Sequence, residues 1–223
     1  MRGIHQITWK GKPTMRHLQR LITTSVIVAT LQCSTAMGQA ISSSLSKNSS
    51  IPPEIQAPAG NAVYLKGHAI GTQNYICQAS GSEFSWKFIG PQATLFISLQ
   101  WNNFEIVQQL TTHFLSPNPS ESGIARATWQ NSVDTSAVWA KSIASSTDSK
   151  YVAPGAIPWL LLQATGTRLG PSGGSTMTQT TFIQRLNTSG GMMPTNGCNE
   201  AGQIGNVAFV PYSADYYFYR AGN

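Results

Sequence analysis

The chain has 223 residues and a formal net charge of +6, with 14 basic and eight acidic side chains. Five of the basic residues and none of the acidic ones fall in the first 40 positions, so the remainder has a charge of only about +1. Recognition of nucleic-acid phosphates depends on clustered Lys and Arg, and residues 41–223 contain no such cluster. The composition therefore excludes nucleic acid as the expected partner.

The N-terminal segment has the pattern of a secretory signal peptide. Basic residues up to Arg20 precede the uncharged run 21–31, and small residues follow as far as Gly38-Gln39-Ala40. A basic start, an apolar stretch and a small-x-small ending define such signals. We predict a signal peptide over residues 1–40 with cleavage after Ala40, the alternative being cleavage after Gly38. The protein is then secreted or periplasmic.

The same segment allows other interpretations. Met15 is an alternative start, because residues 1–14 add nothing that a signal needs. A membrane anchor is disfavoured, since about 11 apolar residues fall short of the roughly 20 that span a bilayer. A lipoprotein needs a small residue before its cysteine, whereas Gln32 precedes Cys33. We expect no integral membrane span in the mature chain.

Two cysteines, Cys77 and Cys198, remain after the signal peptide. An even number of cysteines in an oxidising compartment predicts a disulfide. This bond would close a loop of roughly 120 residues, for which chain entropy gives an upper stabilisation near ~5 kcal/mol. The alternative is a pair of buried free thiols.

Residues 41–58 are rich in Ser and then in Pro, which predicts a flexible or polyproline-like lead-in that buries little. Residues 59–223 form the predicted single domain. About 160 residues suffice for a sizeable core.

The segment Asn74–Phe88 (NYICQASGSEFSWKF) is predicted to be a β-hairpin around Ser80-Gly81-Ser82. Its second arm alternates Phe84, Trp86 and Phe88 with polar residues, which is the period of a half-buried strand. We expect these three aromatic side chains in the core. Cys77 should fasten the hairpin to the C-terminal part of the sheet.

Short β-branched or aromatic runs between turn residues continue to the C-terminus. Trp101–Leu110 fits a short helix or a strand equally well. The predicted strand Trp159–Ala164 begins with the apolar run Trp159–Leu162 (WLLL), which predicts a central strand covered on both faces. The pattern predicts an all-β domain, a β-sandwich or barrel with at most one or two short helices and one disulfide. The other predicted strands are Ala62–Ile70, Tyr75–Gln78, Phe84–Phe88, Thr94–Leu99, Ala125–Gln130, Val138–Ile143, Thr181–Leu186, Val207–Val210 and Tyr216–Arg220.

Several blocks together resemble the domain-of-unknown-function family 3455, found in exported bacterial proteins and in fungal ones. The blocks are IQAPAGNAVYLKGHAIGTQNYICQA, SWKFIGPQATLF, HFLSPNP, TWQNSVDTSAVWAKS, IPWLLLQA, FIQRLNTSGGMMPTNGC and VPYSADYYFYRA, in that order. The resemblance covers roughly Ile55 to Ala221. One departure follows Phe114, where many members have a HYAGPTW-like block and this chain has SPNPSESGIARA. The family implies no activity that can be assigned to residues.

Some fungal members carry the label malate dehydrogenase. A nicotinamide site needs a strand, a G-x-G-x-x-G turn and a helix. The Gly-dense stretch GTRLGPSGG (166–174) does not match and is followed by strand-like sequence. The sequence gives the label no support, and we expect no cofactor.

The candidate catalytic residues are His68, His113 and Asp134. Gly170–Gly174 formally matches G-x-S-x-G, but both histidines precede Ser172, which contradicts the α/β-hydrolase order. A His–Asp–Ser order with Asp134 or Asp148 stays open, although Gly, Pro and Ser are also what an ordinary loop contains.

No metal site is expected. Two histidines without a thiol cluster do not supply a zinc site. Asp134, Asp148 and Asp215 are candidate calcium ligands, but they lack a D-x-D-x-D-G loop.

Aromatic residues are the remaining candidates for recognition. We expect Trp86, Trp129 and Trp159 to be buried, and Trp101, beside two asparagines, to be exposed as a candidate ligand-binding residue. The sequence favours an exported binding or cell-envelope module without catalysis, with a glycan or other small molecule as ligand. The alternative is a secreted hydrolase using His68 or His113 with an Asp or Ser.

Overall fold

Residues 51–222 are described by the computed structural model. The predicted signal peptide, with its cleavage site at Ala40, and the first part of the lead-in lie outside the described residues. Within residues 51–222, no helix is long and apolar enough to cross a membrane.

Eight antiparallel strands form one closed barrel, in which each strand pairs with the next and the last pairs with the first. The all-β prediction is confirmed, and of its two forms the structure has the barrel. The described residues contain no α-helix, only 3-10 turns at Pro53–Ile55, Pro119–Glu121 and Ala201–Gln203. The strands are β1 (Asn61–Ser80), β2 (Glu83–Trp101), β3 (Phe104–Asn118), β4 (Ile124–Asn131), β5 (Ala137–Ser146), β6 (Trp159–Arg168), β7 (Phe182–Gly190) and β8 (Val207–Ala221).

The strands are fewer and longer than the short runs predicted from the sequence. β1, β2 and β8 each join two predicted strands, and β1 alone has 20 residues. In β1 and β2 the apparent breaks lie beside an irregularity within continuous strands, the register shift at Asn74/Tyr75, where Ile89 has no partner in the register. A β-bulge shifts the alternation by one residue, so the pattern looks interrupted where the strand continues.

The main core lies inside the barrel. Along β8 the inward positions are Tyr212, Ala214, Tyr216 and Phe218, all buried. Trp129 on β4 is fully buried at the centre and contacts Tyr216 and Phe218 edge-on at ring distances of 5.5 Å and 6.1 Å. This confirms that Trp129 is a core residue.

A second apolar cluster lies on the outer wall of the barrel. Ile55 is 0% exposed there and packs with Trp159, Leu186 and Tyr217, and its carbonyl accepts a hydrogen bond of 2.6 Å from Gln184 Nε2. Trp159 is therefore buried as predicted, but outside the barrel. The expectation that the lead-in (residues 41–58) buries little is wrong at Ile55, because this side chain covers the apolar outer surface of the strands.

The predicted hairpin is present, with β1 and β2 joined by a turn at Gly81. Cys77 is bonded to Cys198 in the loop between β7 and β8, which confirms the predicted disulfide. The expectation that the three aromatic residues of β2 form core is wrong: Phe84 and Trp86 are half-buried and Phe88 is 45% exposed. The hairpin extends past the barrel, and there Trp86 Nε1 donates to Asn196 O of the β7–β8 loop (3.0 Å).

Candidate functional site

A cavity of about 310 Å³ opens at one end of the barrel interior. This upper end carries the β1–β2 turn and the β3–β4, β5–β6 and β7–β8 loops. The side walls come from inward-facing positions of β1 to β8, including Leu115, Ala127, Ala140, Leu160 and Leu162. Eight-stranded barrels have an interior that side chains fill or that holds one small ligand. Here the lower half is filled and the upper half is open.

His113 forms part of the cavity floor. Its Nδ1 donates a hydrogen bond of 2.9 Å to Thr128 O, because a carbonyl can only accept. The imidazole stacks on Trp129 with ring centroids 4.1 Å apart and an interplanar angle of 9°, and Tyr216 contacts it edge-on at 5.3 Å. Nε2 then carries the lone pair, and it makes no hydrogen bond to residues 51–222.

His113 is neutral in the folded protein near pH 7. Burial lowers its pKa to about 3, the Thr128 carbonyl acts in the opposite direction, and the nearby Arg185 charge lowers the pKa further. A neutral imidazole at the floor can accept a hydrogen bond from a ligand. It is not set up as a strong general base, since its Nδ1 partner is a carbonyl and not a carboxylate.

The low pKa of His113 predicts a loss of stability in mild acid. The unfolded chain binds a proton at this residue below about pH 6.5, whereas the folded protein binds it only near pH 3. The free energy of unfolding therefore decreases as the pH is lowered from 6.5 towards 3. From pH 6.5 to 4.5 we expect a loss of about 2 kcal/mol. Urea denaturation at each pH measures it. His113→Gln should remove most of this pH dependence of the free energy of unfolding, and His68→Gln should retain it. If His113→Gln shows the same pH dependence as the wild type, His113 is not its source.

Arg185 on β7 brings a positive charge into the cavity wall. Its Nε and Nη2 donate to Pro158 O at 3.1 Å and 2.8 Å, which fixes the guanidinium. The side chain is half-buried and forms no ion pair within the described part of the chain.

Two further polar groups near the cavity are unpaired. Gln73 lines the cavity and is 3% exposed, and its Nε2 has no hydrogen-bond partner among the described residues. The amide lies near the Tyr212 hydroxyl, but not in hydrogen-bonding geometry. Trp129 Nε1 is likewise buried without a partner. Such groups cost free energy unless a ligand or water satisfies them.

His68 lies on the outer wall, where it pairs with Asp215 of β8. His68 Nδ1 is 2.8 Å from Asp215 Oδ1, while Asp215 Oδ2 accepts from Asn187 Nδ2 at 3.0 Å and lies 3.2 Å from Lys66 Nζ. Burial raises the pKa of Asp215, but these donors together hold it below its ordinary value. A groove beside the pair is also lined by Ser98, whose hydroxyl donates to Glu105 instead of to His68.

Asp134 is a structural residue at the lower end. Its Oδ1 accepts from Ser136 N and Oγ at 2.9 Å and 2.6 Å, and its Oδ2 accepts from Thr176 N at 2.9 Å. It thereby ties the β4–β5 turn to the β6–β7 loop that contains Ser172. Burial raises the pKa of Asp134, but these hydrogen bonds outweigh it and hold the pKa well below its ordinary value. Neither His68 nor His113 is hydrogen-bonded to Asp134 in the described structure.

Trp101 is 65% exposed, as predicted, at the tip of the β2–β3 hairpin. This tip lies at the lower end of the barrel, away from the cavity. Near this tip the same hairpin exposes four more large apolar side chains: Leu99, Phe104, Ile106 and Val107. Between residues 51 and 222, no cluster of three or more His, Cys, Asp or Glu could hold a metal ion.

Residues 58–220 match the family model described as "Protein of unknown function (DUF3455)". The chain belongs to this family. Comparisons with curated proteins and with solved structures returned no match.

Of the residues that line the cavity of this DUF3455 protein, the sequence singled out only His113 and Trp129. Arg185 lies in the segment FIQRLN, where it follows another polar residue and, as the charged one of the two, would be expected to face outward. Its neighbour Gln184 faces out instead, because the outer wall is itself covered by Ile55. The sequence suggests Asp215 only as a calcium ligand, whereas the structure places its partner His68 directly opposite it on the neighbouring strand.

Proposed function

We propose that this protein is an exported, non-catalytic binding module that takes a small molecule into the upper end of its barrel. The observation that carries the proposal is the cavity of about 310 Å³ with Gln73 and Trp129 nitrogens unpaired beside it. Ligand pockets are concave, mainly apolar and equipped with a few fixed polar groups. The predicted signal peptide and the disulfide are consistent with a role outside the cytoplasm.

The composition of the cavity supports binding over catalysis. Aromatic and aliphatic side chains dominate it, and its histidine is oriented by the Thr128 carbonyl. Its volume is at the low end of the range for ligand pockets, about 300–1,000 Å³, so the ligand is a small molecule. A long glycan does not fit; of the carbohydrates, only a monosaccharide is small enough to test.

Indole NMR signals test the proposal directly. Labelled with ¹⁵N at tryptophan, the disulfide-bonded protein is titrated with small aromatic acids, their amides and monosaccharides. Binding in the cavity should shift the Trp129 Nε1–H signal and leave that of Trp101 in place, because the two lie at opposite ends of the barrel. Shifts confined to Trp101, or none at all, would overturn the proposal.

A pair of alanine variants provides the control. Ala127 is half-buried, faces the cavity and packs against the core, so Ala127→Trp should fill the entrance and abolish binding. Ala62 is exposed on β1, so Ala62→Trp adds the same side chain elsewhere and should bind like the wild type. Equal binding by both variants would place the ligand outside the cavity.

A hydrolase on the outer wall is the second candidate function. The observation that favours it is the His68–Asp215 pair, in which a carboxylate orients a 52% exposed imidazole beside a groove. This is the base-and-orienter half of a nucleophilic site. The nucleophile is missing from the pair, since no hydroxyl of residues 51–222 hydrogen-bonds to His68, so water would have to take that role.

Chromogenic ester, glycoside and phosphodiester substrates test this candidate. If it is right, the wild-type protein hydrolyses one class, and His68→Gln and Asp215→Asn each lower the rate by about 100-fold or more. His113→Gln should leave the rate unchanged. Absence of turnover in the wild type, or full activity in His68→Gln, would exclude it.

A further inference from the structure

The charges around the cavity are all positive. Of residues 51–222, three basic ones line it, Arg126, Lys141 and Arg185, and no Asp or Glu does. Arg126 is neutralised by Glu121, which accepts hydrogen bonds of 2.8 Å from its Nε and Nη2. Lys141 is exposed at the rim. The one uncompensated charge held within the wall is therefore that of Arg185.

Arg185 is positioned as a charge without its counter-ion. A half-buried guanidinium gives up part of its hydration, and proteins normally compensate such a charge with a carboxylate. Here the compensation from residues 51–222 is a single carbonyl, Pro158 O, bound by Nε and Nη2. Nη1 has no hydrogen-bond partner in this part of the chain. The guanidinium is thus fixed in place, with donors left for an anion.

The rest of the cavity favours an apolar body for the ligand. Trp129 and Tyr216 form an aromatic wall beside His113, and Leu160 and Leu162 face them from β6. His113 is neutral, so the cavity interior offers one full positive charge and not several. This matches a singly charged carboxylate better than a doubly charged phosphate, which needs more donors.

We propose that the ligand is a small aromatic monocarboxylate whose carboxylate binds Arg185 while its ring occupies the apolar part of the cavity above Trp129 and Tyr216. Gln73 also lines the cavity, and its unpaired Nε2 would become a second donor to the same carboxylate once the amide turns toward it. This inference rests on the proposed function, since it names the ligand class of the same cavity. It adds that the charge, and not only the shape, of the ligand decides binding.

Matched ligands test the inference. Calorimetric affinities are measured for 3-phenylpropionate, 3-phenylpropanamide and phenyl phosphate with the disulfide-bonded protein. A charge-assisted contact predicts that the acid binds about 10- to 100-fold more tightly than the amide, and more tightly than the phosphate. Equal affinity of acid and amide would overturn the ligand class and leave the binding function intact. Absence of binding by all three, with no Trp129 indole shift, would overturn both.

Variants assign the preference to Arg185. Arg185→Gln should abolish the preference for the acid while the amide still binds, and Arg185→Lys should retain part of it. Arg168→Gln removes the same charge from the outer wall, where Arg168 packs on Trp139, and should bind like the wild type. A preference for the acid that persists in Arg185→Gln would refute the assignment. If Arg185→Gln does not fold, the assignment is tested with Arg185→Lys, whose preference for the acid over the amide should be weaker than that of the wild type.

Discussion

Replacing Trp129 by alanine should destabilise the protein by about 3–5 kcal/mol, the range for truncating a large buried aromatic residue. The indole is 0% exposed and contacts His113, Tyr216 and Phe218 at ring distances of 4.1–6.1 Å. Alanine leaves a void at the junction of the packed lower half and the cavity. Strands paired all around the barrel prevent the wall from collapsing into it, so little of the loss should be recovered.

Urea denaturation measures this loss, and Trp101→Ala provides the matched control. The same substitution at a side chain that is 65% exposed should change the free energy of unfolding by no more than about 0.5 kcal/mol. Trp129→Ala should also lose ligand binding, because the aromatic wall is gone. A loss below about 1 kcal/mol for Trp129→Ala would contradict the assignment of this indole as the centre of the core.

Removing the disulfide, with Cys77→Ser and Cys198→Ser together, should cost about 2–5 kcal/mol. The two cysteines are 121 residues apart, so their bond excludes many conformations of the unfolded chain. The bond also holds the β7–β8 loop against the extended end of the β1–β2 hairpin. Without it, the contact between Trp86 Nε1 and Asn196 O should weaken as well.

Thermal unfolding with and without a reductant tests this effect. Reductant should lower the melting temperature of the wild type and leave that of the double variant unchanged, because no other cysteine remains after residue 40. Amide exchange should rise in the β7–β8 loop more than in β4 or β5. A double variant as stable as the wild type would show that the strand pairing alone holds this end together.

Local pattern was sufficient for part of the fold. Alternation around Trp129, the uniformly apolar WLLL segment and turn residues between short runs establish an all-β protein with Trp129 and Trp159 buried. Cysteine counting predicted the Cys77–Cys198 bond, because the two cysteines after residue 40 allow only one pairing with each other. These features depend on side-chain chemistry within a few residues, or on a count, and neither requires knowledge of the three-dimensional arrangement.

Long-range pairing decided the rest. The period-two pattern assigns faces only while a strand is regular, and the bulges at Asn74/Tyr75 and Leu95/Phe96 shift that assignment without a signal in composition. Whether the sheet closes as a barrel depends on β1 pairing with β8, across more than half of the chain. Closure places Arg185 inside a cavity, and the β1–β8 register places His68 opposite Asp215. The sequence by itself determined the class of fold and the Cys77–Cys198 disulfide. Only the tertiary structure determined which polar residues contact one another, because strand register and barrel closure are properties of the whole sheet.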